Sequence, residues 1–172
     1  MNRVRTLVLA LAGSALSVPA LAEEAASNPQ IDYPGFVELA GKVGDYREAR
    51  RLPWDEFAAR AHAEGAILLD ARSETAFAQG HIEGAINLPL PDFTDERLAE
   101  VLGRDKSRPI YIYCNNNFAD DRTPVVTKKV QLALNIPTFI NLVGYGYENV
   151  WELADVIRTD GPGVEWASSE AL

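Results

Sequence analysis

Short apolar runs rich in β-branched and aromatic residues alternate along this chain with amphipathic stretches punctuated by proline and glycine, and that alternation restricts it to an α/β fold around a mostly parallel sheet. Ala66-Ile67-Leu68-Leu69-Asp70, Ala85-Ile86-Asn87-Leu88-Pro89, Pro109-Ile110-Tyr111-Ile112-Tyr113 and Thr138-Phe139-Ile140-Asn141-Leu142 read as extended segments. Between them, Pro53 opens a helix over 54–63 that places Trp54, Phe57, Ala58 and Ala61 on one face and stops at Gly65. Glu74 to Ala78 forms a short helix ended by Gly80. Thr94 caps another that runs to Leu102, with Asp95 and Glu96 in its first turn and Gly103 at its close. The pattern predicts a further helix from Pro124 to about Leu134 and a last one from Glu148 to Arg158, with Val150, Trp151, Leu153 and Ala154 facing inward.

The ends read differently. Met1-Asn2-Arg3-Val4-Arg5, an apolar core to Val18 and Ala20-Leu21-Ala22 before Glu23-Glu24 have the order of a secretory signal peptide, with cleavage after Ala22. The apolar core is too short for a membrane anchor, which needs about 20 residues. Residues 23–48 read as an N-terminal extension with a short helix at 36–40, residues 49–158 as the folded domain, and residues 159–172 as a loose tail. Loss of residues 1–22 leaves 14 basic residues against 25 acidic ones, a net charge of −11, which argues against nucleic acid and anionic membranes as partners. The expected location is periplasmic or secreted.

Cys114 is the only cysteine. It lies where the Ile110–Tyr113 strand gives way to a polar loop, Asn115-Asn116-Asn117-Phe118-Ala119-Asp120-Asp121-Arg122, at the end of a strand where α/β sheets place reactive groups. An unpaired thiol in an exported protein is open to oxidation, so its presence points to a use; the competing reading is a buried cysteine acting as a small hydrophobe.

Leu69-Asp70-Ala71-Arg72, Phe77 and Gly80-His81-Ile82-Glu83-Gly84-Ala85-Ile86-Asn87-Leu88-Pro89 closely resemble the first signature of the rhodanese homology domain. Tyr113-Cys114 after an apolar strand, followed by Leu142-Val143-Gly144-Tyr145-Gly146 and Val150-Trp151, resembles its second half. The similarity runs from about Leu52 to Ala154. It implies a three-layer α/β domain whose central, mainly parallel five-stranded sheet is flanked by helices, and a catalytic Cys114 that carries a transferable sulfur as a persulfide. Asn115 to Arg122 would then form the substrate-binding loop, while Asp70, Arg72, Gly80, His81 and Gly84 form the structural motif. A helix N-terminus at Pro124 would aim backbone N–H groups at the sulfur and favour its anion. A thiol of pKa about 8.5 is about 3% ionised at pH 7, and lowering it by about two units raises that to about 75%.

The chain departs from the family pattern in its loop. Seven residues separate Cys114 from Arg122, and Asp120 and Asp121 within them would repel thiosulfate and raise the thiol pKa, so a persulfide exchanged with another thiol fits better than transfer from thiosulfate to cyanide. Related phosphatases and arsenate reductases require an arginine where this chain has Asp120. At Ala76 many relatives carry a glutamate that pairs with the arginine matching Arg72; Glu74 or Glu83 is the candidate substitute.

The remaining conspicuous residues receive mundane roles. His81 belongs to a turn and His62 to a solvated helix face; with no clustered Cys/His spacing, no metal site and no cofactor are expected. Arg72 ties the strand end to backbone, Arg122 neutralises Asp120 or Asp121 or holds a substrate carboxylate, and Tyr145 and Tyr147 line a pocket mouth or pack beneath the last helix. The function expected is a sulfurtransferase acting on a small sulfur-containing substrate, a thiol-bearing acceptor or a partner protein. Its rival is a catalytically silent module of the same fold that recruits a partner through the acidic loop; a thiol-redox role completed by glutathione or a second protein is a third option.

Overall fold

Ile67, Leu69, Ile110, Ile112 and Val150 pack into one apolar cluster, whereas Leu68, Tyr111, Tyr113 and Leu153 pack into another on the opposite side of the same strands. That period of two, with apolar residues at both parities, is the mark of a sheet covered on both faces. The structure is a computed structural model describing residues 28–169. The signal peptide expected over residues 1–22 lies outside the described residues, as do residues 23–27 of the extension and 170–172 of the tail.

Residues 28–32 hold a turn in which the Ile31 N–H donates to Asn28 O at 3.0 Å. From Tyr33 onward the chain forms a second unit. Its elements are helix α1 (Tyr33–Glu48), strand β1 (Arg51–Leu52), helix α2 (Trp54–Ala61), strand β2 (Ile67–Asp70), helix α3 (Glu74–Gln79), strands β3 (His81–Ile82) and β4 (Ile86–Asn87), helix α4 (Asp95–Val101), strand β5 (Ile110–Tyr113), helix α5 (Asn135–Gly144), strand β6 (Val150–Leu153) and strand β7 (Trp166–Ala167). Five strands form one sheet in the order β1-β6-β5-β2-β4, every pairing parallel. Residues of α1, α4 and α5 fill one face of it; α2 and β3 fill the other. The fold is therefore a three-layer α/β arrangement around a parallel five-stranded sheet. No helix among the described residues is long and apolar enough to cross a membrane.

The first half follows its local signals. Ser73 and Thr94 accept hydrogen bonds from the N–H groups of Ala76 and Arg97, capping α3 and α4. The second half does not. Residues 124–134 contain no α-helix, only a 3-10 turn at Val130–Leu132; Val126, Val130 and Leu132 are exposed, so a helix there would have no face to bury. The segment expected as the Thr138–Leu142 strand is helix α5. Its buried positions Asn135, Thr138, Phe139 and Leu142 follow helical spacing, and Pro137 sits in the first turn, where its missing N–H costs nothing. The expected Glu148–Arg158 helix is instead β6, inserted between β1 and β5, with Glu152 buried at its centre.

Both ends are also more ordered than expected. Helix α1 spans 16 residues, not five, because Leu39, Val43 and Tyr46 pack on α5 and offset the low helix propensity of Gly41 and Gly44. The Tyr46 ring meets Phe139 edge-on at 6.2 Å. In the region expected to be loose, β7 pairs antiparallel with β3, and Trp166 packs against Phe118 at 5.1 Å.

Candidate functional site

Register decides which layer the cysteine enters. Arg51 of β1, Glu152 of β6 and Ile112 of β5 are successive pairing partners across the sheet, so their side chains share a face. Cys114 follows Ile112 by two residues and leaves the end of β5 on that same side, toward α1 and α5. There it borders a cleft of about 220 Å³ lined by Arg47, Arg51, Asn116, Asn135, Ile136 and Glu152, among others.

The thiol is 1% exposed. The backbone N–H groups of Asn135, Asn116 and Leu134 favour its anion. Two belong to the N-cap and the first residue of α5, so the helix N-terminus expected from Pro124 onward is supplied twenty residues beyond the cysteine. Burial nevertheless outweighs these donors and, with the nearby charge of Glu152, pushes the thiol above its ordinary value, not below it as expected. The carboxylate that acts on the thiol is thus Glu152, not Asp120 or Asp121.

The three asparagines hold the long loop between β5 and α5 in place. Asn115 Nδ2 donates to Val126 O and Asn116 Nδ2 to Lys128 O, each at 2.8 Å, and the Lys128 N–H returns a bond to Asn116 Oδ1. Asn117 is 5% exposed. Its Nδ2 donates to Leu153 O and Asp155 O at 2.9 and 3.0 Å, while its Oδ1 accepts from Cys114 N and Asn135 Nδ2, both at 2.9 Å. Backbone carbonyls take the Nδ2 groups of all three asparagines, and from this segment it is the backbone N–H of Asn116 that favours the thiolate. Asn135 Oδ1, also on the cleft, is buried without a partner.

The rest of the predicted loop lies elsewhere. The Phe118 ring is buried beneath the sheet's other face against Tyr113, and the Ala119 N–H donates to Ile157 O. Asp120 turns away from the cleft to accept from Thr159 N at 2.9 Å, and Asp121, at φ +43°, accepts from Thr127 N, which holds its carboxyl below the usual range. Arg122 is exposed and stands 3.8 Å from Asp120.

Asp70, Arg72 and Tyr113 form a separate buried network on the face opposite Cys114. Arg72 Nη2 contacts Asp70 Oδ2 at 2.6 Å and donates to Gly80 O; its Nη1 donates to Pro124 O. These partners of Arg72 include neither Glu74 nor Glu83. The Tyr113 hydroxyl donates to Asp70 Oδ2 and accepts from the Ile82 N–H. His81 Nδ1 donates to Phe77 O at 2.7 Å and its ring stacks on Phe77, so it lies outside the cysteine's cleft. Gly84 supplies a turn at φ +81°. Tyr145 and Tyr147 donate to Phe93 O and Gly103 O and pack in the core, and His62 is exposed. Among the described residues, no group of His, Cys, Asp and Glu is gathered as a metal ion requires.

Sequence reasoning missed Arg47, Arg51, Asn135 and Glu152. Their signals were an arginine within the supposed extension, a helix start at Asn135-Ile136-Pro137 and a lone acid within the apolar run Val150–Leu153.

Comparison with known proteins agrees with this architecture. The profile described as Rhodanese-like domain matches residues 53–155. The uncharacterized protein YqhL of Bacillus subtilis (strain 168) is 33% identical over 91 residues, covering 53% of this chain and 68% of that protein. The BH2092 protein from Bacillus halodurans shares the fold at TM-score 0.50 and 16% identity, over 77% of this chain and 87% of that one. The rhodanese-like domain of the Alr3790 protein from Anabaena sp. aligns at TM-score 0.44 and 24% identity, over 69% and 79% of the two chains.

Proposed function

The chain belongs to the rhodanese-like domain family, and we propose that it is a sulfurtransferase in which Cys114 carries sulfane sulfur as a persulfide. The reading rests on one observation: the only cysteine stands at the C-terminal end of β5, on a polar cleft, where the backbone N–H groups of Asn135, Asn116 and Leu134 favour its anion. In such a site the Cys114 thiolate attacks the outer sulfur of a thiol-borne persulfide or polysulfide. A new S–S bond forms, the donor's S–S bond breaks, and the donor leaves as a thiolate. An acceptor thiolate then takes the outer sulfur and releases Cys114 as thiolate again, so neither half needs an external oxidant or reductant. The N–H donors stabilise the anion on whichever sulfur carries it. The acceptor is a small thiol or a thiol on a partner protein, and the leader over residues 1–22 directs the chain to the periplasm or outside the cell.

Burial of Cys114, which raises its pKa, favours a second reading: a catalytically silent module of the same fold that recruits a partner. Intact-mass spectrometry after exposure to polysulfide separates the two. One added sulfur, absent in Cys114→Ser and lost on incubation with an acceptor thiol, supports transfer; an unchanged mass supports the silent module.

A further inference from the structure

We propose that Arg47 is a positioning residue for Cys114: from helix α1, outside the stretch matched by the family profile, its guanidinium clamps Glu152 and offsets part of the one carboxylate charge sharing the thiol's cleft. Arg47 Nε and Nη2 each meet a Glu152 oxygen at 2.6 Å, a two-pronged contact that lysine cannot reproduce. The Glu152 side chain is 5% exposed, so water contributes little to neutralising it. Behind the pair, Glu48 bonds both Arg47 and Arg51, at 3.2 and 3.1 Å, and holds the arginines in place.

Every element around the thiol bears on the charge balance. Helix α1 contributes Arg47, β1 contributes Arg51 and β6 contributes Glu152; the loop residues Asn116 and Asn117, and Asn135 of α5, are uncharged. Among the described residues lining the cleft, Glu152 is the only acid. Left without its partner, it would set a buried negative charge beside the position where sulfur carries its own, and like charges in one site disfavour each other. The acid lies within the family's stretch; the cation that pairs with it does not.

This inference builds on the reading of Cys114 as sulfur carrier, but its test measures ionisation of the thiol. In the full-length protein, thiolate absorbance against a Cys114→Ser baseline and the rate of reaction with a small neutral alkylating reagent are followed over pH. The variants are Arg47→Gln, Arg47→Lys and Arg47→Gln/Glu152→Gln. Arg47→Gln is expected to move the profile up by about one pH unit, slowing alkylation at neutral pH about tenfold. Arg47→Lys should fall between, and the double variant should return close to wild type because the offending charge is gone. An unmoved Arg47→Gln profile, or a double variant as slow as Arg47→Gln, overturns the assignment. If Arg47→Gln does not fold, Arg47→Lys carries the test against the double variant, and equal rates for the two overturn it. A thiol that titrates as expected yet accepts no sulfur from polysulfide removes the proposed function and leaves this inference standing. Sulfur loading with an unmoved Arg47→Gln profile does the reverse.

Discussion

At the scale of single residues, two positions show how far a residue's behaviour depends on what surrounds it. A Cβ on Gly80 would lie 2.7 and 2.8 Å from Cε2 and Cζ2 of Trp166, closer than atoms tolerate. Gly80→Ala should therefore destabilise the protein by about 1–3 kcal/mol, measured by urea denaturation, and Trp166→Ala in the same chain should recover part of the loss. Cys114 is the second. Burial raises its pKa, so the folded state keeps the thiol proton to higher pH than the unfolded chain does. Alkylation of Cys114 should keep rising beyond the pH at which an ordinary thiol is half ionised. Its stabilising contribution is complete below the unfolded thiol value and lost as pH rises through the folded one, so urea midpoints of wild type should fall on the alkaline side more steeply than those of Cys114→Ser.

Among the elements, the loop between β5 and α5 matters most, because it must bring the first turn of α5 back over a cysteine twenty residues earlier in the chain. Asn117 does much of this through four hydrogen bonds, to the backbone of Cys114, Leu153 and Asp155 and to the side chain of Asn135. Asn117→Ala leaves a buried N–H of Cys114 and two carbonyls unpaired. It should cost about 3 kcal/mol by denaturant titration, and the alkylation rate of Cys114 should change with it as the α5 N–H donors lose their anchor. An unchanged midpoint would mean that the loop is held by its other contacts.

For the molecule as a whole, helix α1 is part of the fold and of the site. Leu39, Val43 and Tyr46 cover α5, Arg50 stands over the rings of Tyr46 and Trp151 at 4.3 and 4.7 Å, and Arg47 reaches Glu152. Deleting residues 33–48 should lower stability by at least about 3 kcal/mol and depress thiol reactivity at neutral pH, read by denaturation and alkylation of the truncated chain. A truncated chain as stable and as reactive as the full one would reduce α1 to an appendage.

Local chemistry alone determined the α/β class, the strands at Ile67–Asp70 and Ile110–Tyr113, the helices capped by Ser73 and Thr94, and the place of Cys114 at a strand end. Each of these rests on neighbours within a few residues, which is the range over which caps and apolar periods act. The second half was not legible in that way. Asn135 and Thr138 occupy buried helix positions and Glu152 a buried strand position, and polar residues at apolar sites erase the period that would reveal the element. Two of the three are held by a distant residue, Asn135 bonding Asn117 and Glu152 bonding Arg47, whereas the Thr138 hydroxyl is buried without a partner. Only the tertiary structure brings those partners together, since they lie 18 and 105 residues apart in the chain. For the same reason the sequence near Cys114 points to Asp120 and Asp121 for the charge beside it, whereas the sheet register selects Glu152 and the packing of α1 sets Arg47 upon it.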